Sequence, residues 1–121
     1  MSLLVVLGLG ALGGLGAVAR FLVDGFVGRR SAVSLPLGTL AVNLSGSLLL
    51  GVLAGASTDE NLLRIAATGL LGSYTTFSTW MFESQRLGED GELRLGLVNF
   101  AVSLAGGMSL AWIGMKLGEA L

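Results

Sequence analysis

Along the chain, long apolar stretches alternate with short polar ones. The apolar stretches run from Leu3 to Phe26 (interrupted by Arg20 and Asp24), from Leu35 to Ala56, from Ile65 to Phe82, and from Leu95 to Met115. Each is close to the ~20 residues a helix needs to cross the hydrocarbon core of a bilayer. Between them lie Gly28-Arg29-Arg30-Ser31, Ser57-Thr58-Asp59-Glu60-Asn61 and Arg86-Leu87-Gly88-Glu89-Asp90-Gly91-Glu92, polar or glycine-rich turns too short to hold a domain. The pattern predicts one all-α membrane unit spanning residues 1–121. Its four transmembrane helices fall near 3–27, 35–56, 62–86 and 93–118, with tight connections.

Composition strengthens the membrane reading. Hydrophobic residues make up 53% of the 121 positions and charged residues only 12%, with a mean hydropathy of +0.83, well outside the averages of soluble domains. A net charge of -1 without a basic patch offers nothing to nucleic acid. The chain has no cysteine, which excludes disulfide and thiolate chemistry, and no histidine, which removes the commonest metal ligand and proton shuttle. An enzyme is not expected.

The first apolar stretch contains Val5-Val6-Leu7-Gly8-Leu9-Gly10-Ala11-Leu12-Gly13-Gly14-Leu15-Gly16-Ala17, in which G-x-G-x-x-G follows an apolar run. A dinucleotide fingerprint would need an acidic residue about 20 positions on for the ribose, and that region reads Ala32-Val33-Ser34-Leu35-Pro36. A cleaved signal peptide would suit Ala17-Val18-Ala19, but no basic segment precedes Leu3. The glycines instead supply small-x-x-x-small spacings that let membrane helices approach closely. Similar spacings recur at Ser47, Gly51 and Gly55, at Ser103 and Gly107, and at Gly114 and Gly118. Four thin, small-faced helices bury little alone, so a dimer is expected.

Basic residues set orientation in the bilayer. Arg29, Arg30, Arg86 and Arg94 flank the first and third connections, and Arg64 and Lys116 lie on the opposite side. The bias favours both termini outside, but only moderately. Such a pattern fits a chain inserted both ways, or a fixed chain with an oppositely oriented partner.

Polar residues within the stretches carry the candidate chemistry. The third stretch reads Gly69-Leu70-Leu71-Gly72-Ser73-Tyr74-Thr75-Thr76-Phe77-Ser78-Thr79-Trp80-Met81-Phe82-Glu83. Glycine and β-branched threonine lower helix propensity in mid-span, which predicts a break near Gly72 to Thr76 whose freed carbonyls face a cavity and could bind a cation. The alternative is a continuous helix whose hydroxyls bond back to the preceding turn. In the second stretch Pro36 suits a first helical turn, and Thr39, Asn43 and Ser47 follow at i, i+4 and i+8, one polar stripe on an apolar helix. Asn99 and Ser103 repeat the pattern. Either the asparagines are glue between helices or the stripes line a path. Amides and hydroxyls without carboxylates suit an anion, and the ring edges of Phe77 and Trp80 can also face one. Arg20 either pairs with Asp24 and snorkels or helps to attract anions.

Three motifs together resemble one family. Gly13-Gly14-x-Gly16-Ala17-x-x-Arg20, Gly38-Thr39-Leu40-x-Val42-Asn43-x-x-Gly46 and Gly72-x-x-Thr75-Thr76-Phe77-Ser78-Thr79 are similar to the Fluc (CrcB) fluoride channels across all four helices. The resemblance implies an antiparallel dual-topology dimer with two pores that passively export fluoride from microbial cytoplasm, through the cell membrane of a bacterium or archaeon. It implies a third helix broken at its centre, with Thr39, Asn43, Phe77, Ser78, Thr79, Trp80 and Ser103 along the fluoride pore and Arg20 and Glu83 at its entrances. Carbonyls of Gly72 and Thr75 from each subunit would hold a structural Na⁺ at the dimer centre. Two positions depart from the pattern: Trp80 stands where a second phenylalanine is usual, and Ser73 where a second glycine follows Gly72. A homodimer and a pair of unlike paralogous chains both stay open.

Two rival functions share the four-helix pattern. A dual-topology exporter of toxic cations or drugs needs an intramembrane carboxylate in its first helix, and none precedes Asp24. A non-conducting partner subunit would use its polar stripes for packing alone.

Overall fold

The computed structural model describes residues 2–30, 35–56 and 59–121, except the side chains of Arg64 and Ser78. Ser31, Ser57 and Thr58 of the expected turns lie outside the described residues. Helix α1 spans Leu3–Arg30, α2 Leu37–Ala56 and α6 Leu93–Glu119, and these three are long and apolar enough to cross a membrane. Between α2 and α6 the chain runs as α3 (Glu60–Leu63), a π-helical stretch (Arg64–Leu71), α4 (Gly72–Tyr74) and α5 (Ser78–Glu89). The described residues contain no strand.

Local chemistry explains several of these limits. Pro36 stands one position ahead of α2, and its carbonyl accepts the Leu40 N–H at 3.1 Å, opening the helical ladder. Helix α5 ends in a Schellman motif: Gly91 takes a φ of +82°, its N–H bonds to the Gly88 carbonyl, and the Glu92 N–H bonds to the Leu87 carbonyl at 2.7 Å. Only glycine adopts that backbone without strain, so the chain turns sharply into α6.

Few large side chains are interior. Val5, Val42, Leu71 and Tyr74 form the buried apolar set among the described residues, while leucines, valines and phenylalanines of α1 and α6 point outward, as lipid-facing surfaces do. Glycine carries the packing instead. On α2, a Cβ at Gly51 would strike the Ala111 carbonyl, and one at Gly55 the Met115 carbonyl. On α6, a Cβ at Gly114 would strike the Leu48 carbonyl, and one at Gly118 the Val52 carbonyl. The two i, i+4 pairs are reciprocal, so α2 and α6 lie backbone against backbone in the most extensive helix interface among the described residues, where Cα–H groups face carbonyls. These small faces are therefore used inside one protomer.

The glycine-rich run of α1 divides by face. Gly16 leaves room for Ser73 Oγ and the Leu70 carbonyl, and Gly8 for Ile65, so α1 packs against the π-helical stretch. Gly10 and Gly14 meet nothing within 4 Å. Near the far end of α1, Gly38 of α2 makes room for the backbone and carboxylate of Asp24.

Gly114→Val should therefore destabilise the protein by about 1–3 kcal/mol or more, because the obstructing atoms are backbone and cannot rotate away. Gly10→Ala should change stability by no more than about 0.5 kcal/mol. Thermal unfolding in detergent, followed by size-exclusion chromatography, compares them. Equal melting temperatures for the two variants would refute the backbone-contact account.

Candidate functional site

The site begins where the helical ladder stops. Leu71 and Gly72 keep helical dihedrals, but Thr75 turns to φ -77°, ψ 160°, and helical structure resumes at Ser78. An extended residue removes the next N–H and C=O from intrahelical partners, and at membrane depth each must be satisfied elsewhere. Asn43 on α2 satisfies both for Thr76. Its Oδ1 accepts the Thr76 N–H at 2.8 Å, and its Nδ2 donates to the Thr76 carbonyl at 2.8 Å. The carboxamide thus imitates a paired peptide unit. The Thr76 hydroxyl oxygen then accepts the Thr79 N–H at 3.3 Å, capping the start of α5.

Neighbouring residues of α2 brace the same junction. The Tyr74 and Ser45 hydroxyls lie 2.9 Å apart, and Ser45 Oγ donates to the Val42 carbonyl at 3.1 Å. Gly46 has no Cβ because the Thr75 methyl and the Tyr74 ring fill that space. Ahead of the junction, the hydroxyls bond backward: Ser73 Oγ donates to the Gly69 carbonyl at 2.7 Å and Thr75 Oγ1 to the Leu71 carbonyl at 3.1 Å.

Beside the junction lies an open cleft of about 430 Å³, bordered by Asn43, Ser47, Gly72, Thr75, Thr76, Phe77, Trp80 and Ser103. Among the described residues, no charged side chain borders it. Phe77 is 69% exposed and stands perpendicular to Trp80, with ring centroids 5.6 Å apart at 85°. A second cavity, about 160 Å³, is bordered by Arg20, Asp24, Thr39, Thr76 and Thr79, and a third, about 390 Å³, by Pro36, Thr79, Phe82, Glu83, Arg86 and Asp90. Thr76 borders the first two and Thr79 the last two, so the openings form a row along one side of α5. Among the described residues, charge appears only in the second and third.

Most residues singled out by sequence fall in this row. Asn43, Phe77, Trp80 and Ser103 border the cleft; Thr39, Thr79 and Arg20 the second cavity; Glu83 the third. Thr39 is 3% exposed, and Glu83 Oε1 is buried without a hydrogen-bond partner among the described residues. Gly72 and Thr75 border the cleft, and no hydrogen bond among the described residues ends on either carbonyl. Ser78 opens α5, and its side chain lies outside the described residues.

Asn99 does not join the cleft. It is 3% exposed, and its amide donates to Ser84 Oγ at 2.7 Å. The stripe reading of the fourth helix therefore holds a place at the cleft for Ser103 and turns Asn99 toward α5. Sequence reasoning missed Thr76, Ser45 and Ser84 as site-building residues. Thr76 sits inside the hydroxyl-rich run, and Ser84 lies one helical turn after Trp80; those spacings are the only sequence trace of their roles.

Chemically, the row offers amide and hydroxyl donors and an aromatic ring in an uncharged cleft, with ionisable groups toward one end. Such a lining can replace part of the hydration of a small ion without holding it by opposite charge.

Comparison with known proteins agrees over nearly the full length. A model of the CrcB-like protein, camphor resistance (CrcB) family matches residues 6–115. The chain is 50% identical over 115 residues to fluoride-specific ion channel FluC 2 of Mycolicibacterium paratuberculosis, covering 95% of this chain and 94% of that protein. It is 44% identical over 119 residues to FluC 2 of Mycobacterium tuberculosis, covering 98% and 94%. With fluoride-specific ion channel FluC of Citrifermentans bemidjiense it shares 44% over 115 residues, covering 91% and 93%. On a family match and relatives of this identity and coverage, the chain belongs to the CrcB family.

Proposed function

We propose that this protein is a subunit of a fluoride channel that lets the ion leave the cytoplasm passively through the cell membrane. The observation that carries the reading is the uncharged cleft with Phe77 exposed beside Asn43 at the helix junction. The names of the relatives supply the ion.

Fluoride is small and strongly hydrated, so its passage requires donors along the whole path. Asn43 Nδ2 carries two hydrogens; one is held by the Thr76 carbonyl, which leaves one N–H for an ion in the cleft. The hydroxyls of Thr39, Ser78, Thr79 and Ser103 extend the donor set, and the Phe77 edge adds a positive rim. None carries a full charge, which keeps binding weak enough for release. Arg20 and Glu83 stand toward the entrances, where Arg20 attracts anions. A channel of this kind performs no chemical step.

The protein works as an antiparallel, dual-topology dimer, either of identical chains or with a paralogous partner. Two features support this: the cleft is open, and it exposes the backbone of Gly72, polar surface that lipid does not solvate. A third crossing made of two half-helices meeting at Thr75 to Phe77 would present its carbonyls to that interface. The carbonyls of Gly72 and Thr75, which accept no hydrogen bond among the described residues, are hard, uncharged oxygens, and two from each subunit would form a site suited to Na⁺. Bound there, Na⁺ would supply a fixed positive charge to the dimer centre and partner those carbonyls.

Fluoride efflux from proteoliposomes tests the function, and absence of flux from the purified wild-type protein would reject it for this chain alone. Phe77→Ile keeps bulk but removes the ring edge, so flux should fall about tenfold while the protein stays monodisperse; full flux would exclude the ring-edge role. Asn43→Asp removes the donor to the Thr76 carbonyl and sets a carboxylate against it, leaving a buried group unsatisfied at about 1–3 kcal/mol. Flux should be lower in Asn43→Asp than in Asn43→Ser, and the reverse order would count against the amide as donor. Because the native chain lacks cysteine, one cysteine added at each terminus in turn reports topology. Each should be labelled from both sides of the membrane in cells, and labelling from one side only in a homomer would overturn dual topology.

A further inference from the structure

Trp80, Ser84 and Asn99 form a closed ring of hydrogen bonds. The Asn99 amide donates to Ser84 Oγ at 2.7 Å, Ser84 Oγ donates to the Trp80 carbonyl at 2.9 Å, and Trp80 Nε1 donates to the Asn99 carbonyl at 3.4 Å. The ring ties one turn of α5 to one residue of α6. Phe100, next to Asn99, stacks on the indole with centroids 5.3 Å apart and planes inclined by 22°. Two consecutive residues of α6 thus hold Trp80, one by its N–H and one by its face.

We propose that Ser84 and Asn99 are positioning residues that lock the α5–α6 register so that Trp80 serves as a rigid prop for Phe77, with its indole N–H withheld from the cleft. This rests on the fluoride-channel reading and deepens it.

The physical argument has three parts. First, an indole N–H is a stronger donor than a ring C–H, and a free one in the cleft would hold a small anion tightly; bonding it to a backbone carbonyl removes that trap. Second, the 3.4 Å bond is long and weak by itself, so it depends on the shorter Asn99 to Ser84 and Ser84 to Trp80 bonds to keep the carbonyl in place. Third, Phe77 is largely exposed and meets Trp80 at right angles. With its other side open to the cleft, Phe77 takes its orientation from that contact.

Ser84→Ala is the test, with Ser84→Thr as the variant that keeps the hydroxyl. Flux is measured for both in the native chain and in a Trp80→Phe background, where no indole remains to be held. Ser84→Ala should lower flux about fivefold in the native chain and Ser84→Thr should restore it, whereas in the Trp80→Phe background Ser84→Ala should change flux less than about twofold. An equal loss in both backgrounds would overturn the proposal, since Ser84 would then act without Trp80. A second readout needs no fluoride. With Trp112→Phe, at an exposed position that does not border the cleft, Trp80 is the sole tryptophan. Its time-resolved anisotropy should show a rigid indole, made mobile by Ser84→Ala and by Asn99→Ala; an indole equally rigid in both variants would also overturn the proposal. If the wild-type protein carries no fluoride but the indole is released as expected, the channel reading fails while the positioning stands.

Discussion

The pairing of Asn43 with the backbone of Thr76 is the constraint on which the site depends. Once Thr75 leaves the helical region, a donor and an acceptor lose their helical partners at Thr76, which is buried. One side chain from α2 takes both, each at 2.8 Å. That contact fixes the height of α2 against the junction, and with it Thr39 one turn before and Ser47 one turn after. The same contact determines how much of the Asn43 amide is left for an ion. An asparagine serves here because its carboxamide offers a donor and an acceptor in the geometry of a peptide group, which neither aspartate nor serine can match.

Close packing makes the pairing reachable. Membrane helices gain little from burying leucine, since lipid is as apolar as a protein core. The α2 and α6 backbones touch through Gly51, Gly55, Gly114 and Gly118, and this brings Ser103 to the cleft. On the other side, Gly16 admits Ser73 and Leu70, placing α1 against the segment that leads into the junction. Each interface relies on the absence of a side chain, so the scaffold is thin yet closely determined.

Around this scaffold the polar groups divide by charge. Neutral amides, hydroxyls and rings occupy the cleft, while Arg20, Asp24, Glu83, Arg86 and Asp90 border the neighbouring cavities. A full charge beside the cleft would either bind an ion too firmly or repel it. The aromatic pair adds orientation: Phe77 faces the opening, and Trp80 is held behind it by α6.

Much of this was legible in the residues alone. Apolar length set the crossings at α1, α2 and α6, because the thickness of a bilayer imposes it on any spanning helix. The i, i+4 spacing of Thr39 and Asn43 put them on one face, and three motifs together indicated the family. Tertiary structure decided the rest. Glycines at 51, 55, 114 and 118 read as general helix-packing signals, yet whether they join helices of one chain or of two depends on which backbones meet. Asn99 and Ser103 share a sequence stripe, but a 3.6-residue period leaves successive positions rotated, so one turns toward Ser84 and the other borders the cleft. The pairing of Asn43 with Thr76 spans 33 positions, and no local pattern encodes a contact at that separation: it exists only because α2 and the junction are packed side by side.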